Sequence, residues 1–192
     1  MTSTRFGAVA RSLATRRTVL AGSAGLATAA MVNRAAAQDA TPATCPDRSA
    51  AEMQAQVRAL VDAWNARDFE ELERLFHPDH AHRWNGGAEP LDRDSYLAAM
   101  ETMWDAFDDL TFTADHIITL GDVAVLRFSM SGMQIQEFDG FPPGERPATW
   151  TAIMILTFRC GLIVEAWAEA NHLGRLRQQG SIPMPDGSTP AA

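Results

Sequence analysis

Apolar residues recur at helical spacing through the first part of the folded region and at alternate positions through the rest. Met53, Val57, Leu60, Val61 and Trp64 fall three or four apart, which predicts a helix beginning at Ser49. Asp68 is placed to cap a second short helix carrying Leu72, Leu75 and Phe76, with Pro78 ending it. A third helix is expected from Asp92 or Asp94 to about Phe107. Its stripe of Tyr96, Met100, Met103, Trp104 and Phe107 reads as core. After Asp108-Asp109 the period drops to two. Strands are expected over residues 110–120, 123–138, 148–159 and 162–171, with turns at Gly121-Asp122 and Cys160-Gly161 and a loop over 139–147. His116, sharing a face with Leu110, Phe112 and Ile118, reads as a core histidine. A last short helix should cover 172–179. Helices first and then a meander is an α+β order. The expected fold is a curved antiparallel sheet of four to six strands with three N-terminal helices. Between the layers it leaves a conical pocket, the default ligand site, and a short C-terminal helix follows.

Ahead of this pattern lies a segment of a different kind. Arg16-Arg17 precedes a weakly hydrophobic, Ala- and Gly-rich stretch from Val19 to Val32, and Ala35-Ala36-Ala37 supplies small residues for a signal peptidase. The stretch falls short of the roughly 20 apolar residues that span a bilayer. Residues 1–37 are therefore expected to be a cleaved twin-arginine export signal, and the destination periplasmic or extracellular. Residues 38–47 read as a linker, 48–180 as one domain, and 181–192 as a disordered tail.

Charge narrows the partners. Of sixteen basic side chains, Arg5, Arg11, Arg16, Arg17 and Arg34 fall within the expected signal, which has no acid. Eleven remain against twenty-four acids, a net of −13. Such a surface repels nucleic-acid backbones and anionic lipid, so neither nucleic acid nor membrane is an expected partner once the signal is gone. The chain has no lysine, which excludes Schiff-base chemistry. No nucleophile elbow, phosphate-binding glycine loop or CxxC pair occurs. Outside the cytoplasm the two cysteines, Cys45 and Cys160, could form a disulfide or remain two free thiols; both readings stand on sequence alone.

A series of motifs in the second half is more specific. Asp122 through Arg127-Phe128 opens a long strand. Gly140-Phe141-Pro142-Pro143 forms a loop closed by Arg146. Gly161 leads into Ile163-Val164-Glu165-Ala166-Trp167, and Leu173-Gly174 precedes Gln178-Gln179-Gly180. In this order they resemble the SnoaL-like polyketide cyclases, also called ester cyclases, of the nuclear transport factor 2-like superfamily. The resemblance implies cofactor-free binding of an apolar carbonyl or ester compound. It also implies carbon-acid chemistry by one aspartate, leading to cyclisation, isomerisation or dehydration. The family's aspartate lies four residues after the tryptophan, where this chain has Asn171. The family's histidine after the strand's glycine is replaced by Gln134, which follows Gly132-Met133. An amide cannot serve as a base.

Glu165, Trp167, Glu169 and Asn171 alternate and share one face of the last expected strand, opposite Val164, Ala166, Ala168 and Ala170. That face suits a pocket wall, the reading adopted here, and suits an outer or dimer-forming face nearly as well. On the pocket reading Glu169 is the substitute base, His82 its acid–base partner, and Asn171 a holder of carbonyl or enolate oxygen. Arg127, Gln134, Trp150, Glu165, Trp167 and His80 are the candidate substrate-binding residues. Arg127 could equally form an outward salt bridge. His80 and His82 have a spacing that can chelate zinc or copper, but no evident further ligand accompanies them, and no metal or cofactor is expected. The expected partner is a small apolar molecule, with a homodimer as the expected assembly. The rival to the enzyme is a binding or dimerisation module of the same fold that has lost catalysis at Asn171.

Overall fold

The computed structural model describes Cys45, residues 48–87 and residues 89–183. The expected export signal, the linker apart from Cys45, and residues 184–192 of the tail lie outside the described residues.

Helix α1 (Ala50–Ala66) starts at a capping box. The Ser49 hydroxyl accepts from the Glu52 amide while the Glu52 carboxylate accepts from the Ser49 amide. Its buried residues are Met53, Val57, Leu60, Val61, Ala63 and Trp64, the expected stripe. Asp68 caps α2 (Phe69–Leu75), again as expected. The chain leaves α2 directly into strand β1 (Phe76–Trp84), so the helix stops at Leu75 and Pro78 lies within a strand. Lacking an amide hydrogen, Pro78 falls where the register with the neighbouring strand shifts, between Phe76 and Ala81.

A two-residue edge strand, β2 (Leu91–Asp92), leads to α3 (Arg93–Ala106), capped by Asp92. Four long strands follow: β3 (Phe107–Leu120), β4 (Val123–Gln134), β5 (Ala148–Arg159) and β6 (Leu162–Ala170). Helix α4 (His172–Gln179) comes last. β4 ends at Gln134 rather than continuing to Phe138. There the chain folds into its own tight turn, Asp139-Gly140, with Phe138 and Phe141 exchanging backbone hydrogen bonds at 3.0 Å. Both turn residues have left-handed φ, 54° and 77°.

The six strands form one sheet in the order β2-β1-β6-β5-β4-β3. It is mixed rather than antiparallel throughout, because β1 pairs parallel to β6. The two are separated by α3 and four strands, ample chain for the crossover that parallel pairing needs. α1 lies across β3 and β4, α3 against β1, β2 and β3, and α4 against β5. The face under the helices carries Ala124, Leu126, Phe128 and Met130 of β4, Trp150, Ala152, Met154 and Leu156 of β5, and Ala166 and Ala168 of β6. Among the described residues no helix is long and apolar enough to cross a membrane.

His116 is exposed, not core. A bulge at Asp115 between the pairs Ala114–Phe128 and His116–Arg127 reverses the alternation, turning His116 and Ile118 outward and Ile117 inward. Cys45 and Cys160 are joined by a disulfide that ties the segment before α1 to the β5–β6 turn.

Candidate functional site

Between α1, α3 and the sheet lies a cavity of about 330 Å³. Trp64 of α1, Met100 and Met103 of α3, Phe112 of β3, Phe128 and Met130 of β4 and Met154 of β5 supply its apolar lining. The Met and aromatic stripe read from sequence as core therefore serves partly as cavity wall. Polar character enters from His82, Tyr96, Thr102 and Asp139.

β1 positions the histidines. His80 and His82 are two apart on one strand and both turn inward, where they are almost wholly buried. The Nδ1–H of His80 donates to the Ile163 carbonyl on β6 at 3.0 Å. The His82 ring stacks on Tyr96, with centroids 3.7 Å apart and planes 11° off parallel, and neither of its nitrogens has a hydrogen-bond partner among the described residues. Burial pushes the imidazolium of His82 down to about 3, helped by neighbouring His80. Burial likewise lowers His80 to about 4, against the opposing effects of the Ile163 hydrogen bond and Glu165. Burial raises the Tyr96 phenol well above its ordinary value. At neutral pH the cavity therefore presents an uncharged imidazole with one donor and one acceptor. Among the described residues no group of three His, Cys, Asp or Glu is placed to hold a metal ion.

The face of β6 assigned to the pocket is the outer one, which corrects that expectation. Glu169 and Asn171 are exposed, Trp167 is 46% exposed, and Glu165 is partly so. Ala166 and Ala168 face inward instead. Burying two carboxylates without cationic partners under the helices would be far more costly than burying alanine methyls. Trp167 lies beneath the Arg83 guanidinium at 4.8 Å, and Arg83 reaches Glu165 at 3.8 Å. Glu169 does not reach the cavity, so it is not placed to act there with His82.

Asn171 is the N-cap of α4. Its Oδ1 accepts from the Gly174 amide at 2.9 Å. Gly174 is required by this arrangement, because a Cβ there would come within 2.6 Å of the Asn171 amide nitrogen. Arg127 is outward, paired with Asp115, which also accepts from Ser129. Trp150 is buried against Phe107, ring centroids 5.6 Å apart, and lies outside the cavity lining. His80 lies behind the lining, its ring against those of His82 and Tyr96. Of the residues expected at the site, His82 alone contributes to the cavity wall.

Gln134 is buried and fully engaged. Its Nε2 donates to the carbonyls of Gln136, Phe141 and Pro142 at 2.9 to 3.0 Å, fixing the Gly-x-Pro-Pro loop. Its Oε1 accepts from Arg175 Nη1 at 2.7 Å. Thus both positions at which the resemblance implies acid–base residues carry amides committed to holding the fold.

Sequence reasoning missed Arg175, Asp139 and the stacking role of Tyr96. A signal for Arg175 was present: α4 offers few apolar residues, so its inner face must include a polar one. The i, i+4 pair Arg175 and Gln179 lies beside Leu176 on that face.

The sequence profile described as SnoaL-like polyketide cyclase matches residues 54–179. No curated protein matches the chain. Among solved structures, IdmH of Streptomyces antibioticus, described as a candidate polyketide cyclase, is 29% identical. Its alignment covers 67% of this chain and 98% of that one, with a TM-score of 0.62. TsrD of Streptomyces laurentii is 29% identical over 70% of this chain and 99% of its own, with a TM-score of 0.64. AclR of Streptomyces galilaeus, described as a candidate hydroxylase, is 27% identical over 70% and 100%, with a TM-score of 0.63.

Proposed function

This chain belongs to the SnoaL-like polyketide cyclase family, and from that premise we propose that it is an exported small-molecule-binding member. It takes a flat, largely apolar compound bearing a carbonyl or hydroxyl into the cavity and holds it on His82, without the family's carbon-acid catalysis. The observation that carries this reading is His82: a neutral, buried imidazole, unpartnered among the described residues, on the wall of a largely apolar cavity. A ligand that supplies the missing hydrogen bond relieves a desolvation penalty of about 1–3 kcal/mol. The loss of the family's carbon-acid chemistry is supported by Gln134 and Asn171, whose amides are engaged in hydrogen bonds that hold the fold.

A second reading, cofactor-free acid–base catalysis, is favoured by Asp139, which lines the cavity together with His82. One experiment separates the two. The chain is titrated with 2-acetylnaphthalene by calorimetry, and the ketone's methyl protons are followed by NMR in heavy water. Binding that weakens about tenfold in His82→Phe, with no deuterium entering the methyl group beyond the protein-free rate, supports the binding reading. Deuteration that depends on His82 or Asp139 would establish the enzyme, and no binding would sink both.

Export rests on Arg16-Arg17 ahead of the apolar stretch. Replacing both with lysine should retain the chain in the cytoplasm, as cell fractionation would report. The homodimer rests on one row across the sheet's outer face, where Ile118, Val125, Ile155 and Trp167 are successive register partners. Arg127 and Glu165 flank it on opposite sides, so two copies packed face to face can pair them. Trp167→Arg should shift sedimentation to the monomer.

A further inference from the structure

The side chain of Arg175 is 1% exposed and sits in an aromatic cage. Its guanidinium carbon lies 5.4 Å from the Phe107 ring centroid, 5.5 Å from that of Phe138 and 5.8 Å from that of Trp150. Nη1 donates to Gln134 at 2.7 Å and to Gln179 at 3.2 Å, both neutral acceptors. The nearest counter-charge is Asp139, 3.9 Å from Nη2, and that carboxylate is 51% exposed. A buried cation with one distant, half-hydrated partner is under-compensated. The donors are in surplus as well: Arg175 Nε and Gln179 Nε2 are buried without an acceptor among the described residues. Burial accordingly lowers the guanidinium's proton affinity, opposed by Asp139.

The cage and the cavity share a wall. Phe138 and Asp139 line the cavity, and the same two residues stand between it and the guanidinium. Asp139 occupies a tight turn, and its half-exposed side chain borders water.

We propose that Arg175 and the Asp139 turn form an anion subsite at this end of the cavity, where a ligand carboxylate replaces Asp139 on the guanidinium. Resting on the binding reading above, this defines the ligand class as apolar ring compounds bearing a carboxylate. His82 meets the ring system's neutral oxygen, and Arg175 meets the anion. A carboxylate facing Nη2 and Nε gains charge-assisted hydrogen bonds that Asp139 at 3.9 Å does not make.

The test compares two probes of one shape, 2-naphthoate and 2-acetylnaphthalene, by calorimetry on the purified chain at fixed ionic strength. Naphthoate is expected to bind at least tenfold more tightly. Asp139→Asn removes the competing carboxylate while tolerating the left-handed backbone of the turn. It should tighten naphthoate about threefold or more, by a larger factor than it changes the ketone. Arg175→Met should abolish the preference; if that variant does not fold, Asp139→Asn decides. Equal affinity for the two probes, or a naphthoate affinity indifferent to Asp139→Asn, would overturn the subsite while leaving the cavity reading in place. If the ketone too fails to bind, the cavity reading falls and the subsite with it.

Discussion

His80 and His82 are held neutral by burial, and this links stability to pH. Their folded values, about 4 and about 3, lie below the ordinary 6.5. The unfolded chain therefore takes up protons that the folded chain refuses. Stability from this source is complete above about pH 6.5 and is lost as the pH falls toward 4 and 3. The loss approaches 1.4 kcal/mol per pH unit for each histidine. Urea unfolding at pH 7.5, 6 and 5 should show a downward slope that is roughly halved in His82→Phe. A slope unaffected by that substitution would mean that the His82 imidazole is already charged or hydrated in the folded state. Sequence alternation placed His80 and His82 on one face, and β1 does carry them so. The same alternation separated Glu165, Trp167 and Glu169 from the alanines of β6, yet could not say which face lay under the helices. That depends on residues far away in sequence, and the desolvation cost of carboxylates decided it.

At the scale of elements, the boundaries that sequence located well are those with local causes. Asp68 and Asp92 cap helices where their side chains accept backbone amides, and the left-handed pair Cys160-Gly161 turns β5 into β6. The boundaries it misjudged have tertiary causes. α2 yields early to β1 because β6 offers Phe76 a pairing partner, and β4 stops at Gln134 because that amide gathers the following loop. Asn171 belongs to the first group. Since aspartate caps a helix as well as asparagine does, Asn171→Asp should keep or slightly raise the melting temperature. It should also leave 2-acetylnaphthalene undeuterated, because the side chain remains on α4 and outside the cavity. Renewed exchange would show that the capping residue can reach the ligand. Gly174→Ala should instead cost about 1 kcal/mol or more by displacing the cap, read as a lowered melting temperature.

Across the whole molecule, the disulfide Cys45–Cys160 closes a loop of 115 residues. The chain-entropy estimate for such a loop is about 5 kcal/mol. Cys160→Ser should therefore lower the urea midpoint substantially at unchanged pH. A midpoint within error of the parent would mean that the bridge strains the native state as much as it restricts the unfolded one. Order of synthesis matters too. Among the described strands β1 is the first to leave the ribosome, and its one long partner, β6, is the last. Until β6 arrives, the backbone of β1 has only the two residues of β2 to bond, and His80 lacks the Ile163 carbonyl that fixes its ring. The histidine wall of the cavity is thus a late event in the life of each new chain, complete only when the C-terminal third has docked beside the N-terminal part.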